Sequence, residues 1–245
     1  MKWKTAIIVL SLFLGLGSIN TSAQTPDFWD GIETFDGPTN ENPILAAQID
    51  FYFDQMVSPL HDSITLEISR LVERTENNPD LRDFLLWQLL EKYRHPEYMS
   101  QDQVFVWLYD HYFSQLEIKD LNAQNLALIR EKAERLRRLA LFNIAPDIKL
   151  NDSVDLQSVE SECTVLFFYD HDCGLCHQEM RDLDSVCCAH PEITALKIDM
   201  NTDGLRVDEL YDLYDIETTP LIYVLDREKR IIAKKIQAKQ IPLVL

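Results

Sequence analysis

The run Val165-Leu166-Phe167-Phe168-Tyr169, followed by Asp170-His171-Asp172 and then Cys173-Gly174-Leu175-Cys176, constrains this chain more than any other stretch. Five apolar or aromatic residues in a row, bounded by polar ones, read as a buried strand. His177 to Val186 reads as a helix, with Met180 and Leu183 in register and Glu179, Arg181, Asp182 and Asp184 available for an outer face. The two cysteines are therefore expected where a strand hands over to a helix. Unpaired N–H groups and the positive end of the helix dipole favour a thiolate there.

A chain of 245 residues has room for two domains, and 46% apolar residues is ordinary for a folded protein. Lys2 and Lys4 precede an apolar run from Ala6 to Leu16, and Thr21-Ser22-Ala23 is a small-residue site. This pattern is expected to be a secretory signal peptide over residues 1–23, cut after Ala23, with an exported, periplasmic product. About 12 apolar residues are too few for the roughly 20 that span a bilayer. Cutting there removes two lysines and moves the net charge from −18 to −20. Nucleic acid is then a poor partner, and no association with an anionic membrane is expected. Five cysteines in an exported chain cannot all pair within one molecule, so at least one is free, shared or redox active.

Residues 24–42 carry prolines and glycines with no sustained period and read as an irregular lead-in. A helical domain is expected over 43–143. Ser58-Pro59 and Asn78-Pro79 are helix-start signals, Ser100 with Gln103 fits a capping box, and a last helix is expected from about Asn122 to Phe142. Val104, Trp107, Leu108, His111 and Tyr112 are expected on one face of the helix after Ser100. The basic cluster Arg130, Lys132, Arg135, Arg137 and Arg138 reads as a solvated face, since Glu131 and Glu134 precede Arg135 and Arg138 by four. His61, His95 and His111 have no partner at metal-ligand spacing and read as structural.

The character changes at Ala145-Pro146. Residues 147–150 and 153–156 alternate around Asn151-Asp152 as a small hairpin would. After the cysteine strand and its helix come an apolar strand at Ile193 to Met200, an acidic helix around Asp208 to Tyr214, and Thr218-Thr219-Pro220 ahead of two strands, Leu221 to Leu225 and Ile231 to Ile236. Strand, helix, strand at this length means a parallel pair with a right-handed crossover, and the last two strands read as an antiparallel hairpin.

With this order of elements, Cys173-Gly174-Leu175-Cys176 at the junction and Thr219-Pro220 before a strand, residues 145–245 resemble the thioredoxin-fold domain of the TlpA/ResA type, exported bacterial thiol-disulfide oxidoreductases. The resemblance implies an α/β thioredoxin-like fold, a mixed central sheet flanked by helices, after an all-α domain. It implies that Cys173 and Cys176 exchange disulfides with partner proteins, that Pro220 is a cis-proline facing them, and that Glu179 matches an acid many members carry. Thr219, Gly174 and Leu175 would then border a bound partner. Protein thiols or disulfides, and an electron donor or acceptor in the envelope, are the implied partners, with no cofactor and no metal. Asp172 stands where the family usually has tryptophan, Phe167 stands where thioredoxin keeps a buried aspartate, and the chain stops soon after the last strand, so a shortened or borrowed cover for one sheet face is implied.

Glu179 is also i,i+3 from Cys176, close enough on a helix for its carboxylate to accept the second thiol's proton. Cys173 to His177 spells C-x-x-C-H as well, the attachment signature of a c-type haem, although strand flanks are the wrong setting for it. Cys187 and Cys188 lie roughly 17 Å along a helix from Cys176, too far to share a zinc ion, and read with Cys163 as inert, buried cysteines. A non-catalytic scaffold with a structural disulfide remains the alternative, because fold does not decide function.

Overall fold

In the computed structural model, alternation in one strand divides the core in two. Among the described residues, 27–32, 42–149, 155–201 and 207–245, a four-stranded sheet has the order β2-β1-β3-β4. Its strands are β1 (Cys163–Tyr169), β2 (Ile193–Asp199), β3 (Leu221–Leu225) and β4 (Ile231–Lys234). β1 pairs parallel with β2 and β3 pairs antiparallel with β4, as the sequence implied, and β1 also pairs antiparallel with β3. Cys163, Val165 and Phe167 of β1 face one core, and Leu166 and Phe168 the other, as the two-residue period of a strand requires.

The first core lies under α6 (Gly174–Ala189), which contributes Leu183, and under a short 3₁₀ helix, Ala238–Leu243, which contributes Ala238 and Ile241. Met99, from the helical half, packs against the same core. The cover on this sheet face thus includes a 3₁₀ turn and a side chain borrowed from the helical half. The second core takes Leu210 and Tyr214 of α7 (Val207–Tyr214), with Leu139, Ala145 and Leu156.

The helical half consists of α1 (Pro43–Gln55), α2 (His61–Arg74), α3 (Pro79–Arg94), α4 (Asp102–Leu108) and α5 (Ala123–Arg138). Asn78 caps α3 as its sequence indicates, its side chain accepting from Leu81 N at 3.2 Å, as Asn42 on α1 accepts from Leu45 N at 3.1 Å. Three other boundaries differ from expectation. Pro59 does not open α2: the helix begins at His61, and the Pro59 carbonyl accepts from Gln101 Nε2 at 3.4 Å. The Ser100/Gln103 box does not form: α4 starts at Asp102 with Gln101 as its N-cap, and the Gln103 amide donates to Leu136 O of α5 at 2.9 Å. α5 stops at Arg138, and Phe142, at φ 69°, turns its N–H onto Ile231 O at 2.8 Å, beside the edge of β4.

A π-helical turn, Tyr109–Phe113, follows α4 and widens the helix by one residue. The expected face is displaced as a result. Phe113 is buried against Trp87, with ring centroids 5.1 Å apart, while His111 is exposed and Tyr112 only half-buried.

The largest departure concerns α5. Arg130, Arg137 and Arg138 are exposed, as expected of a solvated face, but Lys132 and Arg135 are not part of it. Lys132 is buried, with Nζ 2.9 Å from both carboxylate oxygens of Asp215 and 2.6 Å from Glu217 Oε1, and Arg135 reaches Asp212 at 2.8 Å and Asp215 at 3.4 Å. These groups join α5 to the segment after α7. Burial works against the Asp215 charge, but Lys132 and Lys235 outweigh it and hold the carboxyl below its ordinary range.

Residues 1–30 form a unit of their own, of which 27–30 are described as a turn closed by Asp30 N–H on Asp27 O at 3.0 Å; Gly31–Leu245 form the second unit. The signal peptide of residues 1–23 lies outside the described residues, as does most of the 24–42 lead-in. The tip of the hairpin at Asn151-Asp152 does too, although its legs meet where Leu156 N–H donates to Ile148 O at 2.9 Å. No helix among the described residues is long and apolar enough to cross a membrane.

Candidate active site at the start of α6

β1 ends at Tyr169, and Asp170 turns the chain toward the helix. Its carboxylate accepts from Asp172 N at 2.8 Å and its carbonyl from Cys173 N at 3.1 Å. Cys173 is then the N-cap of α6: its sulfur accepts from Cys176 N–H at 3.1 Å, the bond a capping oxygen would make. That donor and the dipole behind it stabilise negative charge on Cys173.

Cys173 and Cys176 form a disulfide with Cα atoms 5.2 Å apart. Cys173 is half-buried and Cys176 wholly buried, so an incoming group meets Cys173 first. Leu175, between them, is 62% exposed. Thr219-Pro220 is a cis peptide, and the Thr219 carbonyl lies 3.8 Å from Cys173 Sγ. The segment reaches that point from Asp215, which ends α7 with φ 51°, a left-handed conformation that aspartate tolerates better than most residues.

A cleft of about 390 Å³ opens beside the pair, with Leu175, Glu179, Glu217 and Pro220 among its walls. The structure therefore brings Cys173, Cys176, Thr219 and Pro220 together. Gly174 is the first helical residue of α6, exposed at the mouth of the pair, and Glu179 is half-buried, one turn further along the helix. The Glu179 carboxylate accepts from Ala238 N–H at 2.8 Å, so the acid also caps the closing 3₁₀ helix.

Two residues that sequence reading set aside, His95 and Pro96, also line the cleft. His95 Nδ1 lies 3.0 Å from Glu217 Oε2. Spacing could not reveal this, since the partner is 122 positions away in the chain. His177, the last residue of the C-x-x-C-H string, is exposed on α6.

The remaining cysteines divide by exposure. Cys163 is buried, and desolvation first, then Glu192, push its thiol up to about 11. Cys187 and Cys188 stand at the end of α6 but are half-buried and exposed respectively, which corrects the reading of both as buried. Desolvation raises the Cys187 thiol as well. Because the thiolate is the nucleophile, iodoacetamide at pH 8 is expected to label Cys188 first, Cys187 more slowly and Cys163 last. Cys163 should gain reactivity only as the pH approaches 11. Mass spectrometry of peptides over time checks this order, and equal rates for Cys163 and Cys188 would contradict the burial described.

No family model and no curated protein matches the sequence. Solved structures do. A thioredoxin-like protein from Bacteroides caccae superposes with a TM-score of 0.64 at 14% identity, covering 93% of this chain and 95% of its own. A domain of a possible thiol-disulfide isomerase from Cytophaga hutchinsonii is 27% identical over 42% of this chain and 89% of its own, with a TM-score of 0.37. A thiol:disulfide interchange protein from a Bacteroides species is 22% identical over 42% and 86%, also at 0.37. By its sheet order, by the cysteine pair opening α6 and by the likeness that spans both halves, this chain has the thioredoxin-like fold.

Proposed function

We propose that the protein is an exported thiol-disulfide oxidoreductase acting through Cys173 and Cys176. One observation carries the reading: Cys173 caps α6 at the surface, against the Thr219 carbonyl, while Cys176 is buried behind it. In the reduced protein the Cys173 thiolate attacks one sulfur of a partner's disulfide; a mixed disulfide forms and the partner's other sulfur leaves as thiolate. Cys176 then gives up its proton and attacks Cys173 Sγ. The Cys173–Cys176 disulfide closes and the partner leaves reduced by two electrons. A dithiol donor in the same compartment returns those electrons. The reverse sequence would oxidise a partner dithiol.

Cys176 resists ionising because it is buried, so a base must take its proton. Glu179 is assigned that role. It stands at i,i+3 from Cys176 and lines the cleft, and its hydrogen bond from Ala238 falls on Oε2, which leaves Oε1 for the proton.

Trapping tests the reading. The Cys176→Ser protein, reduced and exported with its natural partners, is expected to accumulate mixed disulfides that run as slow, dithiothreitol-sensitive bands, whereas Cys173→Ser yields none. A Cys176→Ser protein that captures nothing, and whose parent exchanges no disulfide with oxidised glutathione, would leave the pair a structural staple.

A further inference from the structure

The cleft beside the cysteine pair is built by both halves of the chain. Leu175, Glu179, Glu217 and Pro220 come from the thioredoxin-like part, while His95 and Pro96 come from the end of α3. α5 holds the segment leading to Pro220 from behind. Asp215 has its charge met there, by Lys132 at 2.9 Å and Lys235 at 3.3 Å. Glu217 differs. Lys132 takes its Oε1 at 2.6 Å, while its Oε2 faces His95 Nδ1 at 3.0 Å. The His95 side chain is 60% exposed, so moving it into water costs little. An imidazole is also a weaker and more easily displaced partner for a carboxylate than an ammonium or guanidinium.

Position narrows what could displace it. Glu217 precedes Thr219 by two residues, and the Thr219 carbonyl lies 3.8 Å from Cys173 Sγ. Two residues of chain span at most about 7 Å, and here they run through bends, so Glu217 lies close to the path of a segment whose sulfur meets Cys173. The chain's net charge of −18 adds a long-range pull in the same direction, screened by salt.

We propose that this cleft selects protein segments carrying a lysine or arginine one or two residues from the reacting cysteine, and that the helical half sets the preference by fixing Glu217 through Lys132, with His95 as the displaceable partner of its second oxygen. This gives the helical half a function, as one wall and the electrostatic backing of the substrate groove. The inference rests on the thiol-disulfide reading only for the identity of the reacting residue.

The test separates the two. A pair of fluorescent peptides, identical except for Lys or Glu two places from a serine that stands in for cysteine, is titrated into the full oxidised chain at low salt. The lysine peptide is expected to bind about tenfold more tightly, with the ratio falling toward one in Glu217→Gln. That variant should fold, since its side chain is 37% exposed, and circular dichroism checks this. In His95→Ala the free oxygen is uncovered, so the lysine preference should persist or grow. Equal affinities in the parent, no binding of either peptide, an unchanged ratio in Glu217→Gln, or a lost preference in His95→Ala would each overturn the proposal. Exchange with oxidised glutathione is measured in parallel: peptide preference without exchange sinks the oxidoreductase reading alone, and exchange without preference sinks this one alone.

Discussion

Replacing Lys234 with methionine is expected to destabilise the protein by about 3–5 kcal/mol, the cost of leaving a buried charge without its partner. Lys234 is wholly buried at the end of β4, with Nζ 2.5 Å from Asp102 Oδ2 of α4 and 2.5 Å from the Leu139 carbonyl just past α5. One ammonium thus ties the sheet to two elements of the helical half. Burial lowers its pKa even though Asp102 opposes the shift, so this ion pair is held at a cost. Without Lys234, the side-chain partner left to Asp102 among the described residues is a Gln103 amide at 3.3 Å. Denaturant melts of the single variant and of Lys234→Met/Asp102→Leu measure the effect. The paired replacement is expected to recover most of the loss, because no charge is then left unpaired. A single variant within about 1 kcal/mol of the parent would show that Asp102 finds another partner or takes up a proton.

The second large effect is kinetic. On the proposed mechanism, Glu179→Gln is expected to slow resolution of the mixed disulfide by about 100-fold, within the usual contribution of a positioned general base. The slowed step is the one in which Cys176 loses its proton. Glutamine keeps an oxygen for Ala238 N–H, so the cap on the 3₁₀ helix survives while the base is lost. Rapid-quench kinetics with a peptide disulfide should show the mixed species accumulating. If Glu179→Gln resolves at the parent's rate, its carboxylate serves only the cap.

Features set by neighbours in the chain were legible in the sequence. The apolar run of β1, the cysteines at the opening of α6, the Asn78 cap and the β3–β4 hairpin each depend on residues a few places apart. Short-range sterics and hydrogen bonding favour such features, and the tertiary fold agrees with them. The reading failed where a polar side chain had a distant alternative. Gln103 looked like half of a capping box, yet it spends its amide on Leu136 O, 33 positions away. Cys188 looked like a core residue at a helix end, but its environment depends on what packs there, and it is exposed.

The sequence by itself determined the fold class, the cysteine pair and the proline that meets it, because strand period, helix-start chemistry and the X-Pro bond are local properties. Only the tertiary structure decided what the helical half does to the site. Lys132 and Asp215 are 83 positions apart, and Asp102 and Lys234 are 132 apart. Along α5 alone, Lys132 and Arg135 sit among glutamates and look like a solvated face; their true partners are acids that folding brings from α7 and the approach to Pro220. A charge's partner is set by distance and burial in space, and i,i+4 spacing along a helix is only the nearest candidate.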